Sequence, residues 1–149
     1  MKWSEFAADA PELAVVGRAR LADRVCYLAT IKRGGSPRVH PVTPDMTSDG
    51  LYTFMFPSSP KSHDLRRDPR YALHASVEDP SGGVTEFLVS GRATVVDSPE
   101  ERAAVAAASG TLSNPVDRYI LFAVGVEHAM LTTYVERQPV RVRWDAPPA

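Results

Sequence analysis

Clusters of turn-forming residues cut this chain into short strand-like runs, and that punctuation limits the fold more than any other feature. Gly34-Gly35-Ser36, Asp49-Gly50, Pro57-Ser58-Ser59-Pro60 and Asp79-Pro80-Ser81-Gly82-Gly83 each interrupt an apolar stretch. The runs between them are rich in β-branched and aromatic residues, which fit a pleated surface. Val25 to Ile31 is continuous enough to predict a strand buried on both faces. Pro37 to Thr43 returns from the first turn. Pro37 and Pro41 within it predict an edge strand, or one bulged near its middle, because proline has no N–H for a ladder. Leu51 to Phe56 follows Asp49-Gly50. Tyr71 to Val77 alternates, with Tyr71, Leu73, Ala75 and Val77 on one face and Ala72, His74 and Ser76 on the other. Val84 to Val96 reads as one long strand with a bend or bulge at Gly91. Tyr119 to Val126, Met130 to Val135 and Pro139 to Trp144 complete the set.

Helices are fewer. Asp9 and Glu12 predict a capping box for a helix over residues 10–22, with a looser turn before it. Ser59 followed by Pro60 predicts a cap and first helical residue for a short helix through Arg67, ended by Asp68-Pro69. Ser98-Pro99-Glu100-Glu101 starts another through the alanines to about Ser109, and Asn114 to Asp117 a short turn. About seven strands joined by short loops, with two or three helices, predict an α+β fold. That fold is a mainly antiparallel barrel with helices outside. Its 149 residues suit one domain, 1–149, loose from about residue 146.

A net charge of −1 leaves no long-range field for nucleic acid or anionic lipid. No apolar stretch approaches the ~20 residues that span a bilayer, and residues 1–5 show no signal-peptide core. A cytoplasmic protein is expected. The single cysteine, Cys26, is expected as a buried structural thiol. His40, His63, His74 and His128 lie in separate elements without metal spacing, so no metal site is expected. The glycine signatures of dinucleotide and phosphate-binding loops and the Gly-x-Ser-x-Gly elbow are missing from the sequence, and no catalytic side chain is assigned.

One segment carries chemistry. Phe54 to Lys61 runs from a strand end into a helix start, bringing Ser58, Ser59, an ammonium and helix N–H groups together as a phosphate seat. Plain capping plus an exposed lysine is the competing reading.

The runs YLATIKRGGSPRVHPVTP, LYTFMFPSSPKSHDLRRDPRYALHA and FLVSGRATVVDSPEERAAV resemble the flavin-binding split β-barrels of the pyridoxamine 5'-phosphate oxidase-like group. The likeness is carried by Ala29-Thr30, Gly35-Ser36-Pro37, Lys61, Leu65-Arg66-Arg67-Asp68-Pro69-Arg70 and Gly91-x-Ala93, and covers roughly residues 20–110. It implies a split barrel, a homodimer with FMN at the interface, and hydride transfer to or from a small-molecule substrate. His40, Pro41, Val42, Thr43, Met55 and Phe56 would line the flavin, and Ser58, Ser59 and Lys61 would hold its phosphate, with His40 donating to a ring oxygen or the phosphate. The chain departs from true pyridoxamine-phosphate oxidases at His40 and Asp45, where those carry arginine and lysine, and at Pro60. It also runs only a few residues past Trp144. Pyridoxamine-phosphate oxidation itself is therefore not expected. Arginine outnumbers lysine 14 to 3, compatible with a GC-rich genome, which keeps the deazaflavin coenzyme F420 as an alternative. Its anionic tail would meet Arg66, Arg67 and Arg70. A flavin- or haem-binding storage module and a cofactor-free dimer are the non-enzymatic alternatives. Arg141, Arg143 and Trp144 could cap a partner's flavin, or Trp144 could be core with solvent-facing arginines.

Overall fold

The structure, a computed structural model, describes residues 1–77, 85–110 and 116–148. Four helices and eight strands follow in the order α1 (Trp3–Asp9), α2 (Pro11–Leu21), β1 (Cys26–Ile31), β2 (Pro37–Val42), β3 (Asp45–Met46), β4 (Leu51–Met55), α3 (Pro60–Arg67), β5 (Arg70–Ala75), β6 (Glu86–Val95), α4 (Pro99–Ala108), β7 (Ile120–Val135) and β8 (Gln138–Asp145). A 3-10 turn covers Val116–Arg118. The strands form one sheet ordered β2-β1-β5-β6-β7-β4-β3, with β8 on β7. Every pairing is antiparallel. β2 and β3 end that path and are not paired to each other, so the barrel stays split between them.

The α+β split barrel expected from the sequence is present, with differences in detail. Residues 3–9 form a full helix rather than a loose turn, because Trp3 and Phe6 are buried on one side of it. Asp9 does not cap α2; Ala10 holds that position, and Asp9 instead accepts a hydrogen bond from Trp144 Nε1 at 2.6 Å. β1 is buried on one face only. Cys26, Leu28 and Thr30 point into the core, while Tyr27 on the other face is 46 % exposed. That outer face has no second layer among the described residues. The two strands expected over 119–135 are one continuous β7. Glu127 is accommodated as an extra residue: the register with β6 steps from Ser90↔His128 to Gly91↔Val126. The strand bends there without breaking. Gly91 is required at that bend, since a Cβ would sit 2.2 Å from the Gly125 carbonyl oxygen. The short β3 was not foreseen.

Other expectations hold. β2 is an edge strand paired only to β1, in regular register from Cys26↔Val42 to Ile31↔Pro37. Ser59 and Ser98 cap α3 and α4, accepting from Ser62 N at 3.3 Å and Glu101 N at 3.2 Å. β5 buries Tyr71, Leu73 and Ala75, with Val77 exposed beyond its end. Glu78 to Val84 and Thr111 to Pro115 lie outside the described residues, and with them the Asp79–Gly83 turn, the start of the Val84 strand and most of the Asn114 turn. No described helix is long and apolar enough to cross a membrane.

The main core lies inside the barrel and continues under α1 and α2. Phe87, Trp3 and Leu21 are fully buried there. Gly17 of α2 makes this layer possible. A Cβ would meet the Phe87 ring at 2.4 Å and Trp3 at 2.8 Å, an approach closer than any packed side chain tolerates. A second cluster of Tyr52, Val96, Val105 and Leu121 seals α4 against β4 and β7. Trp144 of β8 packs edge-on against Phe6 of α1, ring centroids 4.7 Å apart. It is therefore part of the core rim, while Arg141 and Arg143 face solvent.

Candidate functional site

On β2, side chains two apart share a face. Arg38 and His40 share the face turned toward α3, opposite Thr30 and Leu28 of β1. On α3, Lys61 and Asp64 are one turn apart and share the face toward β1 and β2. Asp64 is buried, and it ties the three elements together. It accepts from Thr30 Oγ1 at 2.9 Å and Arg38 Nε at 2.6 Å, with Arg67 at 3.4 Å. Burial alone would raise the Asp64 carboxyl. The hydrogen bonds from Arg38 and Thr30, with the Arg38 charge and Arg67, outweigh it and hold the group below the usual carboxylate range.

Two other basic groups at this corner have no partner among the described residues. Lys61 is half-buried and makes no hydrogen bond or ion pair with them, and its desolvation pushes the ammonium below its ordinary value. His40 Nε2 is buried with no partner. Burial, then Lys61 and Arg38, lower the imidazole pKa, against a smaller opposite pull from Asp64. Arg38 spends only its Nε on Asp64, leaving the outer edge of the guanidinium. An unpaired, partly desolvated positive set of this kind is unfavourable by itself and becomes favourable when a compact anion sits in it. The donor chemistry fits a phosphate group.

The sequence-predicted residues divide accordingly. His40 and Lys61 are brought together at this corner. Ser59 Oγ accepts from Ser62 N as the helix cap, which leaves its O–H as a donor, and the Ser59 carbonyl takes the His63 N–H. With no N–H on Pro60, the helix start offers less to an anion than expected. Ser58 is exposed on the turn. Phe56 is 49 % exposed, its ring 4.8 Å from that of Tyr119. Met55 is buried in the barrel core, so its side chain faces away from any surface site. Of the second-strand residues, Val42 packs half-buried against the core, Pro41 faces out with Val39, and Thr43 lies half-buried just beyond the strand. Sequence reasoning missed Arg38 and Asp64. The signal was available: Arg38 and His40 alternate onto one face, and Asp64 sits three residues after Lys61.

The cations reserved for an anionic tail are all committed within the chain. Arg66 binds the carbonyls of Pro57 and Ser62 and meets His63 Nδ1. Arg67 binds Asp64 and the Ile31 carbonyl. Arg70 chelates Asp68 at 2.9 and 2.6 Å. His74 is held at 2.6 Å from the Ala75 oxygen, and His128 at 2.6 Å from Asp145. Cys26 is buried and its thiol pushed up to about 11 by desolvation, which suits a structural role. No trio of metal-type side chains gathers among the described residues.

Three cavities among the described residues lie elsewhere, one of them a pocket of about 580 Å³ beside α4 lined by Pro99, Arg102, Ala106 and Asp117. A cleft of about 540 Å³ runs between the amino-terminal segment, β4, β6, β7 and Glu101 of α4. Its charges are mostly paired within the chain: Lys2 with Asp49 at 2.6 Å, Tyr52 with Glu101 at 2.9 Å, and Arg92 with Glu127 at 3.8 Å. A smaller apolar hollow of about 230 Å³ lies on the outer sheet face, lined by Ala29, Ile31, Pro37, Ala72 and Arg70. The cation corner is open surface in the single chain.

Comparison with known proteins places these features. The pyridoxamine 5'-phosphate oxidase family matches residues 15–130. The fold is similar to that of a heme binding protein from Mycobacterium smegmatis, at TM-score 0.67 and 18 % identity over 86 % of this chain. This chain spans 56 % of that protein's length. It is similar to PhzG from Burkholderia lata, solved with tetrahydrophenazine-1-carboxylic acid, at TM-score 0.67 and 13 % identity, covering 96 % of this chain and 87 % of that one. It is also similar to HutZ, the heme storage protein from Vibrio cholerae, at TM-score 0.60 and 18 % identity, covering 79 % and 89 %. No curated protein sequence matches.

Proposed function

We infer the function from one premise: the chain belongs to the pyridoxamine 5'-phosphate oxidase family. We propose that it binds FMN, with the flavin phosphate seated between Arg38, His40 and Lys61, and that it acts as an oxidoreductase on a small molecule. The observation that carries this reading is Lys61, a half-buried ammonium with no ion pair or hydrogen bond among the described residues, next to two further cationic or donor side chains. When bound, the flavin supplies the hydride chemistry, and the protein supplies binding and orientation. Asp64 holds Arg38 in place from below. Thr43, Phe56 and Ser58, exposed or half-exposed near the two ends of the seat, are left for the ribityl chain and ring. Met55 could contribute only through its backbone.

We further propose a homodimer. The outer sheet face carries Tyr27, Val39 and the apolar hollow beside Ile31, and none of the described residues covers it. A contiguous apolar patch of this kind usually marks an interaction site, and β2, which bears two of the seat residues, borders it. The engagement of Arg66, Arg67 and Arg70 within the chain speaks against a deazaflavin tail in that place. The two heme-associated neighbours make haem the relevant control ligand. Titration with FMN, followed by quenching of flavin fluorescence, should saturate at one flavin per chain, with riboflavin binding far more weakly. No quenching would overturn the reading, and a monomer mass by light scattering at micromolar concentration would overturn the dimer.

A further inference from the structure

The three basic groups at the corner of β2 and α3 differ in one respect. Arg38 and Lys61 carry their charge at neutral pH, whereas the His40 imidazole can be gained or lost as a cation near that pH. The groups facing His40 are Lys61 and Asp64 from α3 and Arg38 from its own strand, with uncharged Leu28 opposite on β1. Asp64 is already committed to Thr30 and Arg38. His40 is therefore crowded by two positive neighbours, and its buried Nε2 has no hydrogen-bond partner among the described residues. A second charge brought in by the ligand reverses that balance.

We propose that His40 makes loading of this seat proton-coupled: a doubly charged phosphate monoester entering between Arg38, Lys61 and His40 draws one proton from solvent onto the imidazole. The protonated ring then donates to the phosphate, and the negative ligand is met by three cations instead of two. With the Arg38 charge offset by Asp64, Lys61 alone balances the single charge of a phosphodiester, whereas a monoester dianion leaves one negative charge for His40 to meet. The diester gives His40 less reason to protonate. The seat thus selects a terminal monoester over a diester of similar size. This inference rests on the FMN reading above and adds the protonation and charge selectivity of the same site.

The balance has a sign. Phosphate monoesters are mostly dianions above pH ~6, and the free imidazole is neutral near pH 7. Binding takes up a proton there, so affinity weakens as pH rises from 7 to 8.5, by up to about tenfold per pH unit at full coupling.

The test is calorimetric titration of the whole protein with FMN at pH 7.5 in three phosphate-free buffers of different ionisation enthalpy. The expected result is uptake of at least about half a proton per FMN. Uptake should fall to near zero in His40→Gln, with affinity at pH 7.5 reduced about tenfold and the fold unchanged by circular dichroism. Riboflavin 4',5'-cyclic phosphate, a singly charged diester, should bind at least tenfold more weakly than FMN and with less proton uptake. The His40 Hε1 resonance should move toward the imidazolium position when FMN is added. FMN binding without proton exchange, or equal uptake in His40→Gln, overturns the proposal while leaving the FMN reading intact. Failure of the wild-type protein to bind FMN at all overturns both.

Discussion

The corner where β2 meets α3 and the cleft beneath α4 are both charged, and they handle charge in opposite ways. In the cleft, Lys2 lies against Asp49, Glu101 accepts from Tyr52, and Arg92 faces Glu127. Burial and the Glu101 hydrogen bond push the Tyr52 hydroxyl up to about 12, which keeps it a donor at any physiological pH. At the corner, only Asp64 is saturated. Lys61 and His40 are half-withdrawn from water and left unmatched. The cleft has more room, about 540 Å³, but its groups answer one another. The corner has little enclosure, but it is missing a negative charge. Size and unbalanced electrostatics therefore point to different places, and the proposed seat follows the second.

Asp64 is the sharpest place to break this contrast. Asp64→Ala leaves Arg38 and Thr30 Oγ1 without their buried acceptor. It should cost about 3 kcal/mol of stability in urea unfolding, the low end of the range for removing one partner of a buried ion pair, because both arginines are partly exposed. A loss under ~1 kcal/mol would mean the corner is not held from below. The pH dependence has a defined sign. The folded Asp64 pKa is depressed, so its contribution is present above the unfolded carboxyl value near 4 and disappears as pH falls through the lower folded value. The stability gap between wild type and Asp64→Asn should therefore shrink in acid.

Lys61→Ala is expected to do the reverse. It removes an ammonium that has no partner, so stability should change little, while FMN affinity should fall by about 1.5–3 kcal/mol through loss of a charge-assisted bond. Equal affinity in a fluorescence titration would take Lys61 out of the seat. Tyr52→Phe probes the cleft. Loss of its hydrogen bond to Glu101 should reduce thermal stability by about 1 kcal/mol and leave FMN affinity unchanged. A change in flavin binding there would erase the distinction between the two regions. The smallest effect belongs to Arg92→Ala. Its pair with Glu127 is long and exposed, so chemical denaturation should move by less than ~0.5 kcal/mol.

Much of the scaffold could be read from residues whose local chemistry admits few outcomes. Ser59-Pro60 and Ser98-Pro99 start helices because cap and ring agree. Pro37 and Pro41 confine β2 to an edge, and Gly91 marks the bend. Other features depended on distant partners. Residues 3–9 become helical because Trp3 and Phe6 find the core and Trp144, more than a hundred positions away. Glu127 gives no local sign that it will be absorbed as an extra residue within β7. The site was half legible. Lys61 and His40 stand out by type, but Arg38 counts only when its strand face is known, and Ser59 was legible as a helix cap from Ser59-Pro60 alone. Asp64 resembles a surface helix charge until folding places it beneath Arg38.

The sixteen residues of β7 hold β6 along most of their length, β4 at one end and β8 at the other. The strand is made late, after both β4 and β6 have been synthesised. Closing β4 onto β7 joins positions nearly seventy residues apart, such as Thr53 and Phe122, a slow step by topology. Until β7 pairs with them, β4 and β6 each present an edge without its native partner, the arrangement most prone to pair with another chain. Synthesis and folding of this protein thus contain an interval of vulnerability that ends when β7 arrives, and the cell's chaperones would be needed most during that interval.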